Sequence, residues 1–505
     1  MTSVGTETGQ VKESYALIPP FAYALIQIEP KTKQTIYSVM ETPLTKKEND
    51  SLKAIKDEII ETLDKNLDSF TGDEAKDFLR KRMQTIVKKR KISLDERAFE
   101  KLHYHITRDL IGFGIIEPLL KDPAIEDISC DGVRVPIFIW HREYESIKTN
   151  LSFDNATELD DFAIKIAQRS GRHISVAQPL LDSSLDDGSR VNVSYSNEVT
   201  MRGTTFTIRK FKTDPLTIID LIRWNTVSEE VAAYFWYTLE HGKSLLIAGS
   251  TASGKTTLLN SIAMFIRPGN KIVSIEDTAE LQIPHENWIQ SVARPGFGAV
   301  GPDGQKRGEV SMFDLVKASL RQRPDFLFVG EVRGEEAYSM FQAMATGHAG
   351  MGTIHADSGT GVIRRLEAEP MNIPRPMIQA LNIITVQRSV RRQGGKKLRR
   401  TVEVIEILEI DQLTDELVTN KVFGWDPNDD VHMSFGRSYV LEQIMDDNGF
   451  SEGMVQDELK RRAEILRYLT IKNKRSYTEV SEAMSKYFAN PETYHASVMR
   501  EMKRL

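Results

Sequence analysis

One segment restricts the fold more than any other. Gly249-Ser250-Thr251-Ala252-Ser253-Gly254-Lys255-Thr256, continued by Thr257, fills every position of the eight-residue phosphate-loop pattern. An apolar run at residues 245–248 precedes it and a helix-forming stretch to Ile266 follows, so the loop reads as the turn from a buried strand into a helix. Strand-like and helix-like stretches go on alternating from about residue 223 to 410, the signature of an α/β layer with a mostly parallel sheet. The glycines let backbone N–H groups converge on phosphate oxygens at a helix N-terminus, where the dipole also favours negative charge. In such a loop Lys255 reaches the β- and γ-phosphates, and the Thr256 hydroxyl coordinates Mg²⁺.

Two further strands of this region end in acids. Residues 271–275 run into Glu276-Asp277, and residues 326–329 run into Gly330-Glu331. The carboxyl ends of parallel strands face the ligand crevice, where the phosphate loop must also lie. Nucleotide hydrolysis needs a carboxylate to orient or deprotonate water, and Glu331 is the base candidate. Each acid taken singly reads equally well as a surface turn residue. Next comes a glycine-rich turn feeding a short strand bounded by His348 and His355. A histidine at a strand end senses a γ-phosphate through a hydrogen bond, although a purely structural role and a metal site with an unseen third ligand stay open.

The rest of the chain frames this region. Its 505 residues are too many for one ordinary core and call for several domains. Residues 45–112 carry helical periodicity: Leu52, Ile55, Ile59 and Leu63 share a face, and Ser93 with Glu96 reads as a capping box for a second helix through Leu102, Ile106 and Leu110. Residues 124–212 change to short β-like runs at 135–140, 191–195 and 204–208, interrupted by a helix around 159–169, which indicates a compact α+β domain. The tail from about residue 440 is helical, with a capping box at Ser476 and Glu479. Neither a secretory signal nor a run of roughly 20 apolar residues is expected, since the most apolar early segment, 15–28, is broken by Pro19 and Pro20. With 66 Lys+Arg against 72 Asp+Glu there is no global positive field to attract nucleic acid or anionic lipid. The single cysteine, Cys130, excludes an intrachain disulfide and any multi-cysteine metal site.

The phosphate loop, Ser274-Ile275-Glu276-Asp277, the segment from Arg323 to Arg333 and the histidine segment stand in the order that marks the secretion-superfamily ATPases, and the chain resembles them over residues 110–410. Asp187-Gly188-Ser189-Arg190-Val191-Asn192, Phe206-Thr207-Ile208-Arg209-Lys210-Phe211 and the helical front look most like the archaellum motor ATPase and its archaeal pilus relatives.

The resemblance implies a RecA-like C-terminal ATPase domain, its phosphate-loop strand beside the histidine strand, joined to an α+β N-terminal domain and a helical front module. The expected boundaries are 1–112 for the front module, 113–212 for the α+β domain, 213–222 for a linker and 223–505 for the ATPase domain with its helical tail. It implies ATP and Mg²⁺ as cofactors, with residues Gly249 to Thr257 binding nucleotide, the metal on Thr256 and Glu276 as a further candidate ligand. Carried over by motif, Glu331 is the catalytic glutamate, Glu276 and Asp277 form the acidic box, and His348 and His355 belong to the histidine box. The resemblance further implies that Arg190 and Arg209, on the N-terminal domain, swing toward the γ-phosphate when the domains close. The implied assembly is a homo-hexamer, cytoplasmic and peripheral at the inner face of the membrane, working with a polytopic platform protein and accessory motor components. A basic stretch (Arg388, Arg391, Arg392, Lys396, Lys397, Arg399, Arg400) reads as a hairpin, either solvated or touching an acidic partner loop or anionic lipid. The function expected is ATP-driven assembly or rotation of an archaeal filament. The alternatives are an adhesive-pilus or type II/IV secretion ATPase and a nucleic-acid translocase, although no nucleic-acid partner is expected.

Overall fold

The computed structural model describes residues 10–62, 72–211, 215–294, 296–300, 306–391 and 397–504. The chain forms two compact units, Met1–Lys212 and Thr213–Leu505.

The first unit is built on a nine-stranded sheet. Its strands are β1 (Gln10–Ile18), β2 (Ala22–Ile28), β3 (Thr35–Glu41), β4 (Ile125–Cys130), β5 (Phe138–His141), β6 (Glu145–Thr149), β7 (Leu180–Ser184), β8 (Arg190–Ser194) and β9 (Thr205–Arg209). Their order is β1-β2-β3-β6-β5-β4-β9-β8-β7, antiparallel except where β3 meets β6. The front of the chain is therefore not helical throughout, a correction to the sequence reading. Ala22, Ala24 and Ile26 are fully buried while Tyr23 between them is 40% exposed, the period-two pattern of a half-buried strand. Ala24 and Ile26 share one core with Ile128, Ile139, Val191, Phe206 and the helix Ala156–Arg169.

The helical part is confined to Lys46–Glu61, Gly72–Lys89 and Glu96–Leu110, which enclose a separate core of Ile55, Ile59, Leu79, Met83, Leu102 and Ile106. Leu63 lies outside the described residues. The third of these helices is capped by Asp95, whose side chain accepts from the Ala98 amide, and not by Ser93. Asp95 stands immediately before the first helical residue, the position from which a side-chain oxygen reaches the N3 amide.

The second unit carries β10 (Leu245–Gly249), β11 (Ile272–Glu276), β12 (Trp288–Val292), a small hairpin of β13 (Phe297–Val300) and β14 (Lys306–Arg307), then β15 (Phe326–Val332), β16 (Ala349–Ile354), β17 (Ile383–Arg391), β18 (Lys397–Ile410), β19 (Leu417–Asp426) and β20 (Val431–Ser434). Its main sheet has the order β12-β11-β15-β16-β10-β17-β18-β19-β20. From β12 to β17 neighbours run parallel, and β18 to β20 add an antiparallel wing. This is the RecA-like α/β arrangement, with the phosphate-loop strand β10 beside the histidine strand β16 as expected.

Both faces of the sheet are covered, so the central strands read as continuous apolar runs. Leu245, Ile247, Phe328 and Met351 point into one core, and Leu246, Ala248, Leu327 and Ile354 into the other. The first core also takes Ile218, Ile219 and Leu221 from a helix at Ile218–Arg223, which occupies the second half of the linker expected at 213–222.

The C-terminal helices Tyr439–Asn448, Glu452–Ile471, Tyr477–Ala489 and Pro491–Met502 belong to this core through Ile444, Leu466, Met484 and Val498. Ser476 and Glu479 form the expected capping box. Arg462 fastens the tail: its Nη2 donates to Glu458 at 2.9 Å and to Glu240, and its guanidinium lies 4.9 Å from the Trp236 ring centre. Burial pushes the Glu240 carboxyl up, but Arg462 and Arg267 outweigh it and hold the group below its usual range. A depressed carboxyl stabilises the fold at neutral pH and loses that contribution as pH falls through its folded value. Arg462→Ala is expected to destabilise the protein by about 3 kcal/mol, the low end for breaking a buried pair, because Arg267 still reaches Glu240. Urea unfolding measures this, and an unchanged midpoint would show that packing alone holds the tail. Among the described residues no helix is long and apolar enough to cross a membrane.

Candidate functional site

The helix Lys255–Ala263 begins differently from its neighbours. Helices starting after Ser228, Ser311, Ser358, Ser438, Ser451 and Ser476 have that serine as a side-chain cap. This one starts from Gly254, with φ 94° and no side-chain cap, and has no acid in its first turn. Its first amides are thus left to an external acceptor, and the helix dipole adds positive potential there. A side chain at Gly249 is impossible for two reasons: φ is 157°, and a Cβ would stand 2.4 Å from Ser253 Oγ and 2.5 Å from Gln387 O. The loop closes on itself through Ser253 Oγ donating to Ser250 O at 2.8 Å and Lys255 Nζ donating to the same carbonyl at 3.1 Å. Burial lowers the Lys255 pKa, while the charges of Glu331 and Glu280 push it back up. Lys255 is thereby tied electrostatically to the strand-end acid and to a second acid that motif reading did not single out.

The acids expected at the strand ends divide into different duties. Glu276, 2% exposed, accepts from the amides of Glu280 and Leu281 at 2.9 Å each through Oε1, and from Gln290 Nε2 at 3.0 Å through Oε2. Burial raises its pKa, and these bonds oppose the rise. Both oxygens are engaged in holding the turn after β11. Asp277 forms an ion pair with Arg333. Glu331 differs: among the described residues its carboxylate has no hydrogen-bond or ion-pair partner, and the strand beside it is steadied by Thr353 Oγ1 donating to Gly330 O at 2.7 Å. The Thr256 hydroxyl likewise has no partner among the described residues, which suits a group meant for a cation or phosphate oxygen. Gln290, Glu280 and Arg333 were not legible as site residues, because their partners come from separate turns.

The two histidines separate. Ala248 stands opposite Ile354 in parallel register, so His355 emerges at the same sheet edge as Gly249. His348 precedes the other end of β16, roughly 20 Å away along a strand of this length. It lies near Ala343 O, 3.3 Å from its Nδ1, at the edge opposite the loop. The two histidines of the expected histidine box therefore leave opposite ends of one strand. No cluster of three or more His, Cys, Asp or Glu able to hold a metal occurs among the described residues.

In the first unit Arg190 and Arg209 are directly opposed on β8 and β9. Arg190 makes a two-pronged ion pair with Asp182 at 3.1 and 2.9 Å, and Arg209 donates to Asp127 at 3.1 Å. Both guanidiniums are substantially exposed, at 41% and 66%. Of the expected basic edge, Arg400 is buried and paired with Asp430, whereas Arg388 and Arg391 are exposed; Arg392 and Lys396 lie outside the described residues.

A covered parallel sheet with an uncapped phosphate-loop helix and an acid-ended strand defines a RecA-like phosphate-loop protein. The chain belongs to the family described as Type II/IV secretion system protein, whose profile matches residues 111–494. An uncharacterized protein of Methanocaldococcus jannaschii is 41% identical over 402 residues, covering 79% of this chain and 71% of its own length. The type IV secretion system protein PtlH of Bordetella pertussis is 29% identical over 310 residues, covering 55% of this chain and 89% of PtlH. Among solved structures, the ATPase DotB of Yersinia pseudotuberculosis is 18% identical with a TM-score of 0.42, over 78% of this chain and 95% of DotB.

Proposed function

We propose that this protein is an ATP-hydrolysing subunit of a hexameric motor that powers assembly or rotation of an archaeal type IV pilus-like filament through a membrane platform protein. The observation that carries the reading is the uncapped Gly254 helix start with Lys255 and an unengaged Glu331 grouped around it. The backbone amides of the loop and Lys255 bind the phosphates. Thr256 is the residue suited to hold Mg²⁺, with Glu276 engaged in the turn; a bound Mg²⁺ would neutralise charge on the phosphate oxygens. Glu331 takes the proton from the attacking water, and His355 stands at the same edge to sense the γ-phosphate.

Family membership and a Methanocaldococcus relative support a filament or secretion role in an archaeon. The likeness of the segments around Arg190 and Arg209 to the archaellum ATPase supports the narrower choice. An adhesive-pilus or secretion ATPase has the same site chemistry.

Lys255→Ala is expected to weaken ATP binding by about 10² or more, since it removes a charge-assisted contact and leaves phosphate facing a loop without its cation. Titration with a fluorescent ATP analogue checks this, beside phosphate-release assays of the wild type with and without single-stranded DNA, RNA and anionic vesicles. Stimulation by nucleic acid alone would reverse the reading toward a translocase, and absence of ATP binding by the wild type would end it.

A further inference from the structure

A cation from the β17–β18 hairpin lies over the phosphate loop. β17 runs beside β10 with Gln387 opposite Gly249, and β18 returns along β17 with Arg399 opposite Ser389 and Thr401 opposite Gln387. Opposed residues share a sheet face, so Gln387, Ser389, Arg399 and Thr401 line one face. From there Arg399 Nε donates to Ala252 O at 3.2 Å, and its Cδ stands 3.2 Å from where a Cβ on Gly254 would be.

The charge of Arg399 is not spent elsewhere. Arg400, next in sequence, is buried against Asp430 at 2.7 and 2.9 Å, and Arg388 donates to Asp357 O at 3.2 Å. Arg399 is exposed, and among the described residues no acid pairs with it. One N–H on a carbonyl leaves four of its five donors for an anion, in the planar fork that matches phosphate oxygens. On the same face, Gln387 Oε1 and Ser389 Oγ are buried without a hydrogen-bond partner among the described residues, which is unusual for polar atoms unless a ligand or water completes them.

We propose that Arg399 is a phosphate-binding residue for a nucleoside di- or triphosphate, supplied to the loop by the hairpin. The inference rests on the nucleotide-binding reading given above and adds a second cation to Lys255. The contacted stretch, Ala252 to Gly254, is the backbone part of the loop, which cradles the α- and β-phosphates, whereas the lysine reaches the β- and γ-phosphates. Arg399 therefore holds groups that ATP and ADP share. Interactions made equally with substrate and product act on KM and not on the chemical step.

The test measures binding of fluorescent ADP and ATP analogues, and steady-state hydrolysis, for the full chain and for Arg399→Ala, Arg399→Gln and Arg391→Ala. Both Arg399 variants are expected to bind ADP and ATP more weakly by the same factor, about 10–100-fold for loss of a charged hydrogen bond, with the defect appearing in KM. Arg391→Ala removes an exposed positive charge from the same hairpin and is expected to match the wild type. The glutamine variant keeps a polar side chain, so the reading survives if the alanine variant does not fold. Wild-type affinity in folded Arg399 variants overturns the inference and leaves the ATPase reading standing, as does an equal loss in Arg391→Ala. Failure of the wild type to bind either nucleotide overturns both.

Discussion

Glu331→Gln is expected to bind ATP like the wild type and to hydrolyse it about 10²–10⁴ times more slowly, the size of a general-base contribution. The substitution keeps shape and removes only the ability to accept a proton. Of the three strand-end acids, Glu276 accepts hydrogen bonds from two amides and Gln290, and Asp277 is paired with Arg333. Glu331 alone of the three has no hydrogen-bond or ion-pair partner among the described residues, and its charge reaches Lys255. Single-turnover hydrolysis with a separate ATP titration distinguishes the roles. A binding loss equal to that of Lys255→Ala would make Glu331 a partner of the lysine, and unchanged turnover would pass the base role to Glu280, the other acid felt by Lys255.

What could be read before the structure followed from how local each requirement is. A phosphate loop needs its glycines, lysine and hydroxyl within one turn, so the segment 249–256 carries its own evidence, and the buried strand before it and the helix after it are where the pattern places them. The helical faces through Ile55 and Ile59, and the cap at Ser476, are equally local. The duty of Glu276 was hidden because Gln290 comes from a different strand and the two amides from a turn that the acid itself organises. The Arg333–Asp277 pair spans 56 positions. At the front, two prolines drew attention to an interruption, while the alternation of buried Ala22, Ala24 and Ile26 with the more exposed residues between them already had the strand period. The separation of the histidines follows from the strand between them, since residues flanking one strand stand at its opposite ends.

Arg190→Ala and Arg209→Ala are each expected to lower turnover by about 10³-fold with little change in melting temperature, provided these arginines stabilise charge on the transferred phosphoryl group. The structural alternative has a definite form, since Arg190 is held by Asp182 and Arg209 by Asp127. Ion pairs this exposed contribute roughly 0–1 kcal/mol, so exchanging a carboxylate partner for a phosphate costs the fold little. Two guanidiniums directly opposed on neighbouring strands repel each other, and that repulsion falls when an anion comes between them. The proposed partner is the γ-phosphate of a nucleotide, and engaging it is proposed as a gate on hydrolysis. Asp182→Asn and Asp127→Asn separate the readings in the other direction: releasing the arginines should leave turnover intact or raise it if they are catalytic. If instead the arginine and aspartate variants all melt earlier while hydrolysing ATP normally at low temperature, the pairs serve the sheet alone and the gate must be built from other cations.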